Sequence, residues 1–125
     1  MKVLEIDDND DIIKFVEMIV QSMGHEFTST NDGREGVKLI EDNTYDVVLL
    51  DLSMPGFSGI DVLDALAEKN LIRKQKIVLF TASVHAGFDM ESIMSRGVHS
   101  YIPKPIDVDM LMQKINELET EGMAH

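Results

Sequence analysis

Val47-Val48-Leu49-Leu50-Asp51 is the stretch on which the fold turns. Four consecutive apolar residues leave no polar face. A strand apolar on both faces is one buried between two layers, as parallel strands are. Asp51 closes the run with a carboxylate. Upstream, Val3 to Ile6 is a shorter strand-like run closed by Asp7 and Asp8. Between the two, Ile12, Phe15, Val16, Ile19, Val20 and Met23 recur at helical spacing, with Asn9 or Asp10 placed to cap the start and Gly24 to end it. Glu26 to Thr30 is a weakly patterned second strand. Asn31-Asp32-Gly33 is turn chemistry, and Val37, Leu39 and Ile40 belong to a second helix.

Downstream the alternation continues. Pro55-Gly56 and Gly59 shape a loop, and Val62, Leu63 and Leu66 lie on a third helix. Ile77 to Phe80 is another buried strand, closed by Thr81. Met90, Ile93 and Met94 mark a fourth helix stopped by Gly97. Ser100 to Pro103 is the last strand, and Val108, Leu111, Met112, Ile115 and Leu118 give the last helix. Five strands in strict alternation with five helices predict an α/β fold, a parallel sheet with helices on both faces. Pro103 cannot donate to a ladder, which puts the fifth strand at an edge. Glu5 is the misfit. It stands in a strand that should be fully buried, where an unpaired charge is costly. It would reach the strand's polar end, pair with a lysine, or carry a proton.

Composition narrows the function. The chain has 125 residues, enough for one domain with a real core, and no repeat or linker divides it. Eleven Lys and Arg face 23 Asp and Glu, a formal net charge of −12. Such a chain is repelled by phosphate backbones and anionic lipid, which argues against nucleic acid and membranes as partners. There is no cysteine, so thiol chemistry and disulfides are excluded. No apolar run approaches the roughly 20 residues of a bilayer span, and Met1-Lys2-Val3-Leu4-Glu5 lacks the stretch of a signal peptide. The expectation is a soluble, cytoplasmic domain.

In open α/β sheets, ligands bind beyond the carboxyl ends of the strands. Asp7 and Asp8 follow the first strand, Asp51 ends the third, Thr81 the fourth, and Lys104 follows the fifth. The second strand contributes nothing visible. Two carboxylates about 4 Å apart at an effective dielectric near 20 repel by roughly 4 kcal/mol. Either some are protonated or a cation lies among them. An all-oxygen, half-open set suits Mg²⁺, which keeps several waters and leaves positions for phosphoryl oxygens. Lys104 and Thr81 would bind the other oxygens. One carboxylate is then free as nucleophile, and Asp51 is the central one. Singly, each residue has a plainer reading: an acidic loop, a strand threonine, a surface lysine, a cap. Their joint placement on four strand ends is what the plain readings do not account for.

Four segments carry a family resemblance: Lys2-Val3-Leu4-Glu5-Ile6-Asp7-Asp8-Asn9, then Asp51-Leu52-Ser53-Met54-Pro55-Gly56-Phe57-Ser58-Gly59, then Thr81-Ala82, then Tyr101-Ile102-Pro103-Lys104-Pro105. From Lys2 to about Leu118 the chain resembles a receiver domain of the two-component response regulators, of the stand-alone chemotaxis type. The resemblance implies a flavodoxin-like doubly wound sheet of order 2-1-3-4-5 in three layers. The receiver domain would occupy residues 1–120, with 121–125 a short tail. It implies that Asp51 accepts a phosphoryl group from a histidine kinase or a histidine phosphotransfer protein. Asp7, Asp8, Asp51 and the backbone carbonyl of Ser53 would hold Mg²⁺. Thr81 and Lys104 would bind phosphoryl oxygens, and Tyr101 would be the switch aromatic moving with Thr81. The Lys104-Pro105 bond is often cis in such domains. Such a chain is a phosphoryl-accepting switch rather than an enzyme, and its output would pass to a protein on the face of the fourth helix, fifth strand and fifth helix.

The departures are Glu5, where an apolar residue is usual, Ser53 and Ser83 at two positions that tune hydrolysis, and Val98 where alanine is common. Rivals fit worse. A phosphatase of the haloacid dehalogenase type wants a second Asp where Ser53 stands. A flavodoxin wants a hydroxyl-rich phosphate loop where Asp7 and Asp8 stand. A calcium loop starting at Asp7 puts Ile12 at the required glycine and Met18 at the bidentate glutamate. A receiver-like interaction module working without phosphorylation is the remaining alternative. Met90, Met94, Met110 and Met112 read as core filler or as an adaptable partner face. His25, His85, His99 and His125 lack metal-ligand spacing, with His85 in the loop after Thr81.

Overall fold

The computed structural model describes residues 1–82 and 89–123. Ser83, His85 in the loop after Thr81, and His125 lie outside the described residues. The order is β1 (Lys2–Ile6), α1 (Asp10–Ser22), β2 (Glu26–Thr30), α2 (Gly33–Asp42), β3 (Val47–Asp51), α3 (Gly59–Glu68), β4 (Lys76–Thr81), α4 (Met90–Met94), β5 (Ser100–Pro103) and α5 (Val108–Met123). A 3₁₀ turn at Ile72–Lys74 precedes β4.

The strands form one parallel sheet of order β2-β1-β3-β4-β5. The chain leaves β1 toward β2 and then returns to the other side of β1, so the reversal falls between β1 and β3. That is where open α/β sheets bind ligands. β5, with Pro103, is an edge, as the missing donor requires.

The period of two divides the core. Leu4, Ile6, Val48, Leu50, Ile77 and Leu79 pack with residues of α2, α3 and α4. Val3, Val47, Leu49, Val78, Phe80 and Ile102 pack with α1 and α5. β3 is buried throughout because both layers press on it. Val98 is buried in the first of these clusters. β2 is mostly exposed, which explains its weak pattern.

The helix starts follow their caps. The Asn9 side chain accepts from the backbone of Asp11 and Ile12, so of the two candidates Asn9 is the cap. Ser58 and Asp61 form a reciprocal capping box on α3. α5 itself runs to Met123. Its end is held from outside: Glu119 pairs with His25 at 3.1 Å, and Glu121 bonds Lys76 and His99, each at 2.9 Å.

Candidate functional site

The switch point fixes the site. β1 and β3 are in register, and β3 and β4 likewise, so their carboxyl ends finish side by side. Asp7 follows β1, Asp51 ends β3 and Thr81 ends β4, and all three are buried. Asp8 is exposed at the rim. Lys104 follows β5 and is tied to β4 by its own amide, which donates to the Thr81 carbonyl at 2.7 Å. Its ammonium lies 3.2 Å from Asp51 Oδ2 and 3.7 Å from Asp7 Oδ2. The Lys104–Pro105 peptide is cis. The structure therefore brings together Asp7, Asp8, Asp51 and Lys104, with Thr81 on the neighbouring strand end.

Asp7 and Asp51 are each oriented by a backbone donor two residues ahead. Asn9 N–H donates to Asp7 Oδ1 at 2.9 Å, and Ser53 N–H donates to Asp51 Oδ1 at 3.0 Å. Both Oδ2 atoms then face Lys104. Asp7 Oδ2 has no hydrogen-bond partner. Burial pushes the Asp7 carboxyl up to about 6, helped by Asp51 and opposed by the Asn9 amide and Lys104. Burial pushes Glu5 further, to about 9, with Asp7 and Asp51 adding and Lys104 opposing. Neither Glu5 oxygen has a hydrogen-bond partner. Of the three fates the sequence left open for Glu5, the structure supports the proton.

One oxygen from each of Asp7, Asp8 and Asp51 lies within 4.8 Å of the others. Hard oxygens at that spacing, one of them buried without a donor, fit a divalent cation of the magnesium type. Ser53, exposed and two residues beyond Asp51, can add its carbonyl. Tyr101 on β5 is 41% exposed and points away from the core.

Two supports add to what the sequence shows. β2 contributes after all, through its backbone: the Thr30 carbonyl accepts from Asp7 N–H at 3.1 Å. A carbonyl leaves no mark in a residue pattern. The second is Gly59, where a Cβ would collide with the Asp51 carbonyl and Leu52 Cα. Only glycine lets α3 start against the end of β3, and Gly59 N–H then donates to the Leu52 carbonyl at 3.2 Å.

The family model of the response regulator receiver domain matches residues 3–116. The chain belongs to this family. It is 32% identical to the nitrate/nitrite response regulator protein NarL of Escherichia coli over 98% of this chain and 56% of NarL. Among solved structures it is similar to the receiver domain of the Francisella response regulator 1452, with TM-score 0.84, 30% identity, and 97% and 98% of the two chains covered. It is also similar to the response regulator TrrA of Thermotoga maritima in complex with Mg²⁺-BeF, with TM-score 0.78, 31% identity, and 94% and 97% covered. The chain spans between 17% and 56% of the first curated relatives it matches. It is thus a receiver domain of two-component signalling with the flavodoxin-like fold. Among the described residues no helix is long and apolar enough to cross a membrane.

Proposed function

We propose that this receiver domain is an Mg²⁺-dependent aspartyl-phosphate switch with Asp51 as acceptor. The observation that carries the reading is the buried Asp51 carboxylate, held at one oxygen by Ser53 N–H and at the other by Lys104, beside an orphaned Asp7 oxygen. Asp7, Asp8, Asp51 and the Ser53 carbonyl would hold the ion. Bound there, it supplies charge neutralisation for the incoming phosphoryl group. An Asp51 oxygen attacks phosphorus as the bond to the donor's leaving group breaks. The donor would be a histidine kinase or histidine phosphotransfer protein, whose phosphohistidine nitrogen leaves. Lys104 stays paired with the growing negative charge, and the Thr81 hydroxyl donates to a phosphoryl oxygen. Thr81 moving toward the phosphoryl group would free space for Tyr101, exposed on the neighbouring strand β5 two residues before the register partner of Thr81. Tyr101, Val108, Met110 and Met112 then make the α4–β5–α5 side the output face, one that docks a protein rather than nucleic acid. The expected location is the cytoplasm.

The test is incubation with acetyl phosphate and Mg²⁺, read by intact mass. The chain gains one phosphoryl group and Asp51→Asn gains none. No gain in the native chain, or an undiminished gain in the variant, overturns the reading and favours an interaction module that works without phosphorylation.

A further inference from the structure

The metal ligands proposed above come from two separate pieces of chain. Asp7 and Asp8 follow β1, and Asp51 and Ser53 belong to β3 and its loop. The β2–α2 corner spans both. On one side Thr30, the last residue of β2, accepts from Asp7 N–H. Its hydroxyl accepts from Asp32 N–H at 3.2 Å, and Asp32 in turn caps α2 through Arg34 N–H at 2.9 Å. On the other side, the first turn of α2 presses on the loop after Asp51. A Cβ on Gly33 would stand 2.7 Å from Phe57 Cδ1 and 2.9 Å from the Phe57 carbonyl oxygen, closer than side chains ever pack. The Arg34 guanidinium lies 4.7 Å from the Phe57 ring centroid, within cation–π range.

Phe57 belongs to the same short loop as Ser53. The loop is fixed at its ends, by Leu52 N–H on the Phe80 carbonyl and by the Ser58–Asp61 box on α3. Met54 anchors it in the core. Its outer limb, Pro55 to Phe57, turns through Gly56 at φ +74° and is held from outside by α2. Resting on the metal reading above, we infer that Arg34 is a positioning residue for the magnesium site, acting through Phe57 to fix the loop that carries the Ser53 carbonyl. Arg34 itself touches neither metal nor phosphoryl group.

The sign of the effect separates this role from plain electrostatics. Removing a cation from the neighbourhood of a cation site should tighten magnesium binding. Removing a positioning contact should weaken it. The measurements are Mg²⁺ affinity by calorimetry and backbone hydrogen exchange of residues 52–58. They are made on the native chain, Arg34→Ala, Arg34→Lys, Phe57→Leu, and the double variant of Arg34→Ala with Phe57→Leu. Phe57→Leu keeps the apolar contact and loses the ring face, so it spares the fold. Arg34→Ala is expected to weaken Mg²⁺ about three- to five-fold, the size of one such contact, and to speed exchange in the loop. Arg34→Lys should restore part of both. Phe57→Leu should resemble Arg34→Ala, and the double variant should be no worse than either single one. Unchanged or tightened Mg²⁺ binding in Arg34→Ala overturns the inference. If the native chain takes up no Mg²⁺, the metal reading itself falls. The exchange data then decide alone: loop exchange unaltered by Arg34→Ala overturns the positioning role, and faster exchange reversed by lysine supports it.

Discussion

The two ends of the sheet carry the same kinds of side chain in opposite condition. At the amino ends of the strands, polar groups find partners: Glu121 with Lys76 and His99, and His25 with Glu119 on one side and the Met1 ammonium on the other. At the carboxyl ends, Asp7, Asp8 and Asp51 crowd together with Lys104 between two of them, and Glu5 lies buried without a partner. The matched end fastens α5 to the sheet. The unmatched end is where the proposed cation and phosphoryl group would have electrostatic work to do. The two ends also respond to pH with opposite sign. Burial raises Glu5 and Asp7, whereas the Lys76 hydrogen bond lowers Glu121. Function in this domain is marked less by which residues are present than by which are left unbalanced.

Glu5 gives the largest expected effect. Its folded value, about 9, lies above the ordinary 4.5, so between those values the native state holds a proton that the unfolded state has lost. Stability therefore falls as pH rises through this window and is fully present only below it. Glu5→Gln removes the titration while keeping the shape. Chemical denaturation at neutral pH should show the variant more stable by about 3 kcal/mol. The advantage should grow toward pH 9 and vanish below pH 4.5. A native chain whose stability is flat between pH 5 and 9 would show that Glu5 has found a partner after all.

Magnesium comes next. At ten times its Kd, an ion bound only by the native state adds about 1.4 kcal/mol, read as a rise in Tm. Asp8→Ala should abolish the rise, because it removes a proposed ligand at the exposed rim and leaves the buried pair intact. Asp7 must lose its proton to bind the ion, so the rise should weaken as pH falls through about 6. A magnesium effect that survives Asp8→Ala would move the ion away from this rim.

Much of this was legible in the sequence. Val47 to Leu50 announced a strand covered on both faces, Pro103 announced an edge, and the polar residues ending each apolar run marked the rim. Strand ends are legible because a switch from apolar to acidic is abrupt. The rest depends on partners distant in sequence. The state of Glu5 is set by Asp7, Asp51 and Lys104 around it and by two packed layers. The Thr30 carbonyl supports Asp7 with no side chain to advertise it. Arg34 and Phe57 meet across an α2–loop contact that no periodicity encodes. The last turn of α5 follows Leu118, its last buried apolar residue. It persists because His25, Lys76 and His99 are waiting at strand starts far back in the chain.

The matched end should yield the smallest effect. Lys76, His99 and Glu121 are all partly exposed, and exposed pairs contribute little once solvent screening is counted. Glu121→Gln should lower Tm slightly at neutral pH and low salt. In 1 M salt, where screening acts within about 3 Å, most of that loss should disappear. The pH sign is the sharper measurement. Glu121 lies below its ordinary 4.5 in the folded chain, so its contribution is present above that value and lost as pH falls through the folded value. Native and variant curves should therefore converge in acid and part toward neutrality. Glu5→Gln shows the same convergence in acid, but there the variant is the more stable partner at neutrality and here it is the less stable one. Hydrogen exchange locates the cause. Glu121→Gln should loosen amides after Leu118 and leave the loop after Asp51 unchanged. Loosening at the acidic rim instead would mean that the two ends are coupled through α5, and that the matched end serves the site as well as the fold.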